Sequence, residues 1–302
     1  MTAAISLPLR IGARTVWRID RRLVPVSISL GDGLRGAPPV LPPLPREADG
    51  YLIRALPAAL LALVTASRPD LRPFVRQRYQ RSYASLEDGF DAYLASFSGK
   101  SRSTLKRKLR KLAERSGGIL DIRSFRAPED VDAFHRDARG VSAKSYQERL
   151  LADGLPDGEE ATAEMRDRAG RDAMRGWLLF VDDVPISYLY APAEGDTLIY
   201  AHLGYDPAFS EFSPGTVLQL EAMRDLMGEG RFRLFDFTEG DGQHKRQFGT
   251  GTLECVDLLL LQPTLANLLI GHALRAFDGA VALAKAVAAR RGLERLARSL
   301  LR

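Results

Sequence analysis

Between residues 177 and 261 the sequence alternates short β-forming runs with turns and helix starts, and this ordering constrains the fold more than any other feature. Runs at 177–181, 186–190 and 198–203 are rich in aliphatic and aromatic residues. Asp182-Asp183-Val184-Pro185 and Ala193-Glu194-Gly195-Asp196 join them with residues that favour tight turns. A loop follows, then a helix over 214–227, a strand over 232–237, a short helix over 243–248 and a last strand over 253–261. Such an order predicts an α/β or α+β domain with a mixed sheet.

Upstream, 15–19 and 24–30 read as strands and Gly31-Asp32-Gly33 as a turn. Five prolines between 38 and 45 exclude helix and central strand there, so this is a rigid loop or a linker. A strand at 51–55, a helix at 57–66 and a strand at 74–83 come next. Ser85 is placed to cap a helix that runs to Phe97. Over 98–116, Leu105, Leu109 and Leu112 form one apolar stripe, and Gly117-Gly118 ends the helix. A strand at 119–125 and helices at 128–139 and 156–175 complete the reading, and 263–302 is helical.

Hydrophobic residues make up 45% and charged residues 27%, enough for a sizeable core. The single cysteine, Cys255, excludes an internal disulfide framework and a cysteine-rich metal site, and its strand-like surroundings make it a buried thiol. The first residues lack the apolar stretch and cleavage site of a secretory signal, and the apolar runs are too short to span a bilayer. A soluble cytoplasmic protein is expected. Net charge is +5, but residues 100–115 hold eight Lys or Arg against one Glu. That stripe attracts phosphates of any kind. Specific DNA reading is not expected, because no DNA-binding signature accompanies it. Leu293, Leu296, Leu300 and Leu301 with interspersed arginines make the tail a basic amphipathic helix of the kind that lies on membranes; packing against protein is the commoner fate.

The loop before residue 216 carries Ser213, Pro214, Gly215 and Thr216. A serine cap, a proline in the first turn and a glycine without a side chain expose backbone N–H groups at the positive end of a helix dipole, which suits a phosphate. Direct acyl transfer needs a base for the acceptor's proton and a donor for the carbonyl oxygen. Asp236, Glu239, Asp241 and His244 cluster as candidate bases; Asp236 also reads as a structural carboxylate that pairs with Lys245 or caps the following turn, and His244 as an exposed helix residue. Lys245 is a candidate for holding an anionic acceptor.

Leu203-Gly204-Tyr205-Asp206-Pro207, Ser213-Pro214-Gly215, Asp236-Phe237-Thr238-Glu239-Gly240, Lys245 and Phe248-Gly249 together resemble the GNAT acyltransferases, and within them the CelD/BcsL type of cellulose-biosynthesis acetyltransferase. The basic helix at 97–112 and Ser142 to Arg149 also fit, and that branch is similar to the FemAB-like transferases. The usual glycine-rich phosphate loop is thinned here to Gly215.

The resemblance covers about 95–262 and implies a GNAT fold, with a mixed, mostly antiparallel sheet flanked by helices. It implies a reduced GNAT-like half over 1–95, an acyltransferase core over 96–262 and a basic tail over 263–302. It further implies acyl-CoA as co-substrate without a metal. Ser213, Gly215, Thr216, Leu203 and Tyr205 would bind the cofactor; Lys245, Tyr146, Lys100 and Arg102 would bind an acceptor; Asp236, Glu239 and His244 would be catalytic. The acceptor implied is a sugar, a lipid-linked unit or another envelope precursor. Two alternatives stay open: an aminoacyl-tRNA-dependent transferase and a non-catalytic module on the same scaffold.

Overall fold

The computed structural model describes residues 3–11, 14–145, 154–240 and 242–290. In chain order these form β1 (Ala3–Ile11), β2 (Arg14–Ser27), α1 (Leu30–Arg35), β3 (Gly50–Pro57), α2 (Leu61–Ala66), β4 (Arg72–Ser85), α3 (Gly89–Ala95) and α4 (Gly99–Arg115). Next come β5 (Asp121–Phe125), α5 (Val131–Ser142), α6 (Glu159–Gly170), β6 (Met174–Val181), β7 (Val184–Glu194), β8 (Thr197–Ile199) and β9 (His202–Tyr205). The rest is α7 (Pro214–Glu229), β10 (Leu234–Glu239), α8 (Gln243–Phe248), β11 (Gly251–Leu261) and α9 (Leu265–Arg290). The chain divides into two compact units, one of residues 1–81 with 253–302 and one of residues 82–252.

In the first unit the strand order is β1-β2-β3-β11-β4. β2 and β3 are parallel, while β1 with β2 and β3 with β11 are antiparallel. Leu258 and Leu260 of β11 join Tyr51, Ile53 and Leu56 of β3 in one apolar layer. On the other face Leu259 and Leu261 meet Phe74 and Leu274 of α9. Cys255 is buried. Gly31-Asp32-Gly33 is helical rather than a turn: Ser29 Oγ accepts the Asp32 N–H at 3.1 Å and so caps α1. The cap outweighs the glycines' preference for turns.

The second unit orders its strands β10-β8-β7-β6-β5, with β9 on β7. β8 and β10 are parallel; the other pairs are antiparallel, which is the mixed, mostly antiparallel GNAT-like sheet expected. Every residue of β6 is buried, since successive side chains enter opposite layers. Trp177, Leu179 and Val181 meet Leu105 and Leu112 of α4 and Leu218 and Met223 of α7. Met174, Leu178 and Phe180 meet Phe134 and Val141 of α5 and Met165 of α6. The β6–β7 turn has Asp182 and Asp183 at φ 52° and 59°, the left-handed pair that a two-residue hairpin requires.

Three further expectations change. The helix read as running to Arg175 stops at Gly170, and Arg175 lies in β6. Its guanidinium is buried against Glu229, a tertiary partner that helical periodicity cannot show. Ser85 does not cap α3, which starts at Gly89 after Asp88. The strand read over 198–203 breaks at residues 200–201 into β8 and β9. No helix among the described residues is long and apolar enough to cross a membrane. The tail leucines from Leu293 onward lie outside the described residues.

Candidate functional site

The break between β8 and β9 creates an opening in the second unit's sheet. β10 runs parallel to β8 only from Leu234 to Asp236, and the Tyr200 N–H closes that ladder on the Asp236 carbonyl at 2.8 Å. Beyond it, β9 pairs with β7 through Ser187, Tyr188, Leu189 and Tyr190. Among the described residues no ladder joins β9 to Phe237, Thr238 or Glu239. The strands therefore part, and among the described residues β9 pairs only with β7. Tyr200 stands where they diverge, its ring 5.8 Å from that of Phe237, and burial pushes its hydroxyl well above the ordinary tyrosine range.

β9 leads into the start of α7 through a 3-10 turn over Pro207–Phe212. Asp206 holds that turn: one carboxylate oxygen accepts the Ala208 N–H at 3.0 Å and the other meets Lys144 Nζ at 3.1 Å. Burial would raise the Asp206 pKa, but the Ala208 N–H and Lys144 outweigh it and hold the carboxyl below the usual range.

Ser213 is at φ 54° and makes no side-chain cap, so it is not the serine cap expected from sequence. Its carbonyl instead takes the Thr216 and Val217 N–H groups at 3.0 and 3.2 Å. Proline has no N–H, which leaves Gly215 as the residue of the first turn whose N–H meets no acceptor among the described residues. A Cβ on Gly215 would lie 2.8 Å from Leu203 Cδ2 and 3.5 Å from Tyr205 Cδ1. Ser213, Gly215, Thr216, Leu203 and Tyr205 thus come together, around a seat narrower than the sequence suggested.

The basic helix α4 supplies what the glycines do not. Ser98 Oγ caps it on the Ser101 N–H at 3.1 Å, and Leu105 and Leu112 bury it against the sheet. Lys108 Nζ then lies 3.3 Å from Thr216 Oγ1. Burial, and secondarily the Arg107 charge, pull the Lys108 pKa down. Lys111 meets the Glu211 carboxylate at 2.9 Å and stands over the Phe212 ring at 4.7 Å. Neither lysine was singled out by sequence reasoning. The signal was present in the basic run, but only the packing of α4 on α7 selects them.

Lys100 and Arg102 sit elsewhere: Lys100 is exposed, and Arg102 donates to the Ala95 carbonyl at 3.1 Å. Arg102 also lines a depression of about 420 Å³ with Gly99, Ser103, Lys106, Arg107 and Arg110.

The end of β10 and α8 form the second cluster. Asp236 is fully buried, and its carboxylate accepts the Thr238 N–H at 2.8 Å. That bond secures Thr238 at φ 61°, followed by Gly240 at φ 106°. Lys245 Nζ reaches back from α8 to Thr238 Oγ1 at 3.3 Å and to the Glu239 carbonyl. Burial lowers the Lys245 pKa, with Asp236 and Glu239 acting in the opposite direction. Phe248 anchors α8: its carbonyl takes the Tyr93 hydroxyl at 2.8 Å. Asp236, Glu239 and Lys245 are therefore neighbours, with the Glu239 residue exposed. The backbone of His244 is helical; its side chain, Asp241 and Tyr146 lie outside the described residues.

Residues 99–246 match the family model described as an acetyltransferase (GNAT) domain. No curated protein sequence matches the chain. Among solved structures, it is similar to FemX, with a TM-score of 0.54 and 12% identity over 74% of this chain and 75% of FemX. It is also similar to the C-terminal domain (DUF2156) of a protein assigned as a lysylphosphatidylglycerol synthetase from Agrobacterium fabrum. That TM-score is 0.51 at 13% identity, over 77% of this chain and 72% of the other. Both likenesses concern the fold. The stretch 99–246 is a GNAT-type acetyltransferase domain, which puts the chain among the transferases.

Proposed function

We propose that this chain is an acyl-CoA-dependent acyltransferase that moves an acyl group directly from a thioester to an amine or hydroxyl. One observation carries the reading: Lys108, Thr216 and the Gly215 N–H converge on the start of α7, beside a strand whose sheet has opened. A cation, a hydroxyl, an amide and a helix dipole suit a diphosphate. The opening between β9 and β10 gives an extended arm a course into the sheet. Bound acyl-CoA supplies the activated carbonyl.

The residues around it divide the remaining work. The edge of β9 turned away from β7 offers backbone N–H groups where negative charge develops on the carbonyl oxygen. Glu239, at the exposed end of β10, takes the acceptor's proton, and His244 on α8 is the second candidate. Asp236 acts through the turn it secures rather than by touching substrate. Lys245 presents its ammonium at that turn for an anionic acceptor. An acceptor from envelope polysaccharide precursors is supported by the CelD/BcsL resemblance of the sequence.

Titration calorimetry with acetyl-CoA tests the donor. Binding to the wild type and its loss in Gly215→Trp are expected; no binding to the wild type overturns the reading.

A second reading draws on the face formed by Arg102, Lys106, Arg107 and Arg110. Four cations there suit a nucleic-acid backbone, as an aminoacyl-tRNA donor would present. Steeply salt-dependent tRNA binding without CoA binding would favour it.

A further inference from the structure

Gln219 is 3% exposed on α7, and neither its amide oxygen nor its amide nitrogen has a hydrogen-bond partner among the described residues. A buried primary amide left unpaired is destabilising, and leucine would avoid the cost. The position calls for an explanation beyond packing.

Its place in the helix provides one. Gln219 follows Gly215 by four residues, so both lie on one face of α7. At Gly215 that face meets Leu203 and Tyr205 of β9, the strand that borders the opening. Helical side chains lean toward the N-terminus, which directs the Gln219 side chain along that face toward the first turn of α7. The seat formed by Lys108, Thr216 and the Gly215 N–H lies at that same turn. A ligand that partners Gln219 must carry both a donor and an acceptor and must extend inward from an anionic group. A secondary amide on a phosphate-bearing arm meets both demands, and the arm of acyl-CoA carries two such amides between diphosphate and thioester. Glu221 does not offer the same case, because one of its carboxylate oxygens already pairs with Arg224 at 2.8 Å.

We infer that Gln219 is a recognition residue for an amide of the donor's arm, pairing with it as both donor and acceptor. The inference rests on the acyl-CoA reading above.

The test compares wild type with Gln219→Leu and the similarly shaped Gln219→Met. Calorimetry uses CoA, and separately inorganic pyrophosphate, which has the anionic group without the arm. Thermal unfolding is followed without ligand. The expected result is a higher Tm for Gln219→Leu, affinity for CoA lower by about tenfold, and unchanged affinity for pyrophosphate. Equal CoA affinity in wild type and both variants overturns the inference and leaves the acyl-CoA reading standing. Equal losses for CoA and pyrophosphate also overturn it, since the seat itself would have been damaged. Lower stability in both variants would show that the amide serves the fold instead. Failure of the wild type to bind CoA overturns the acyl-CoA reading and this inference together.

Discussion

Lys108 of α4 places its ammonium 3.3 Å from the Thr216 hydroxyl, so a cation from one helix stands at the positive end of another. Two like-signed features at one spot are tolerated when an anion completes them. Lys108→Ala should weaken CoA binding by about ten- to a hundredfold, the worth of about 1.5–3 kcal/mol for a hydrogen bond to a charged group. Calorimetry at two salt concentrations would also show a shallower salt dependence. An unchanged affinity would remove Lys108 from the seat.

Gly215 tests the same seat sterically. Its Cβ would lie 2.8 Å from Leu203 Cδ2, the far end of a flexible side chain. Gly215→Ala should therefore cost little stability, about 1–2 kcal/mol, while keeping CoA binding. Gly215→Trp should abolish binding, because the indole has no room beside β9. A Trp variant that binds CoA as the wild type does would place the donor elsewhere.

The depressed pKa of Lys245 has a measurable sign. Burial is its main cause, so the folded state holds this proton less tightly than the unfolded chain. The penalty is full below the folded pKa and fades as pH rises from there toward the ordinary lysine value near ~10.4. Lys245→Met should remove that rise in stability, as denaturant unfolding across alkaline pH would show. Competitive acylation of the wild type should find Lys245 more reactive than surface lysines at moderately alkaline pH. Turnover should fall at least about tenfold in the same variant if Lys245 holds the acceptor.

Arg175 is 2% exposed and pairs with Glu229, with Asp172 at 2.7 Å and the Met174 carbonyl at 2.7 Å. Glu229→Ala leaves a buried guanidinium with only part of its partners, at a cost of about 3 kcal/mol. For a domain of this size the Tm should drop by about 10 °C. A loss under about 2 °C would show that Asp172 alone satisfies the arginine.

Much of the fold was legible because the relevant signals are local. The helix at 243–248 follows from spacing, the helix start at Pro214 from proline's fitness for a first turn, and the 182–183 hairpin from its turn residues. The site was legible in part for the same reason: Leu203, Tyr205 and Gly215 are separated by few residues and meet across one loop. Ser213 was misread as a cap because a side-chain preference does not reveal a left-handed backbone. Arg175 was misread as helical because its partner Glu229 is 54 residues away.

The sequence by itself determined the order of strands and helices from 177 to 261 and that one helix carries eight of the chain's cations. Periodicity and capping act over a few residues, so they can be read in one dimension. Tertiary structure alone decided which of those cations reaches the start of α7, where β9 and β10 part, and that Gln219 is buried without a partner. Each of these depends on distances between segments far apart in the chain, and packing of the whole domain sets them.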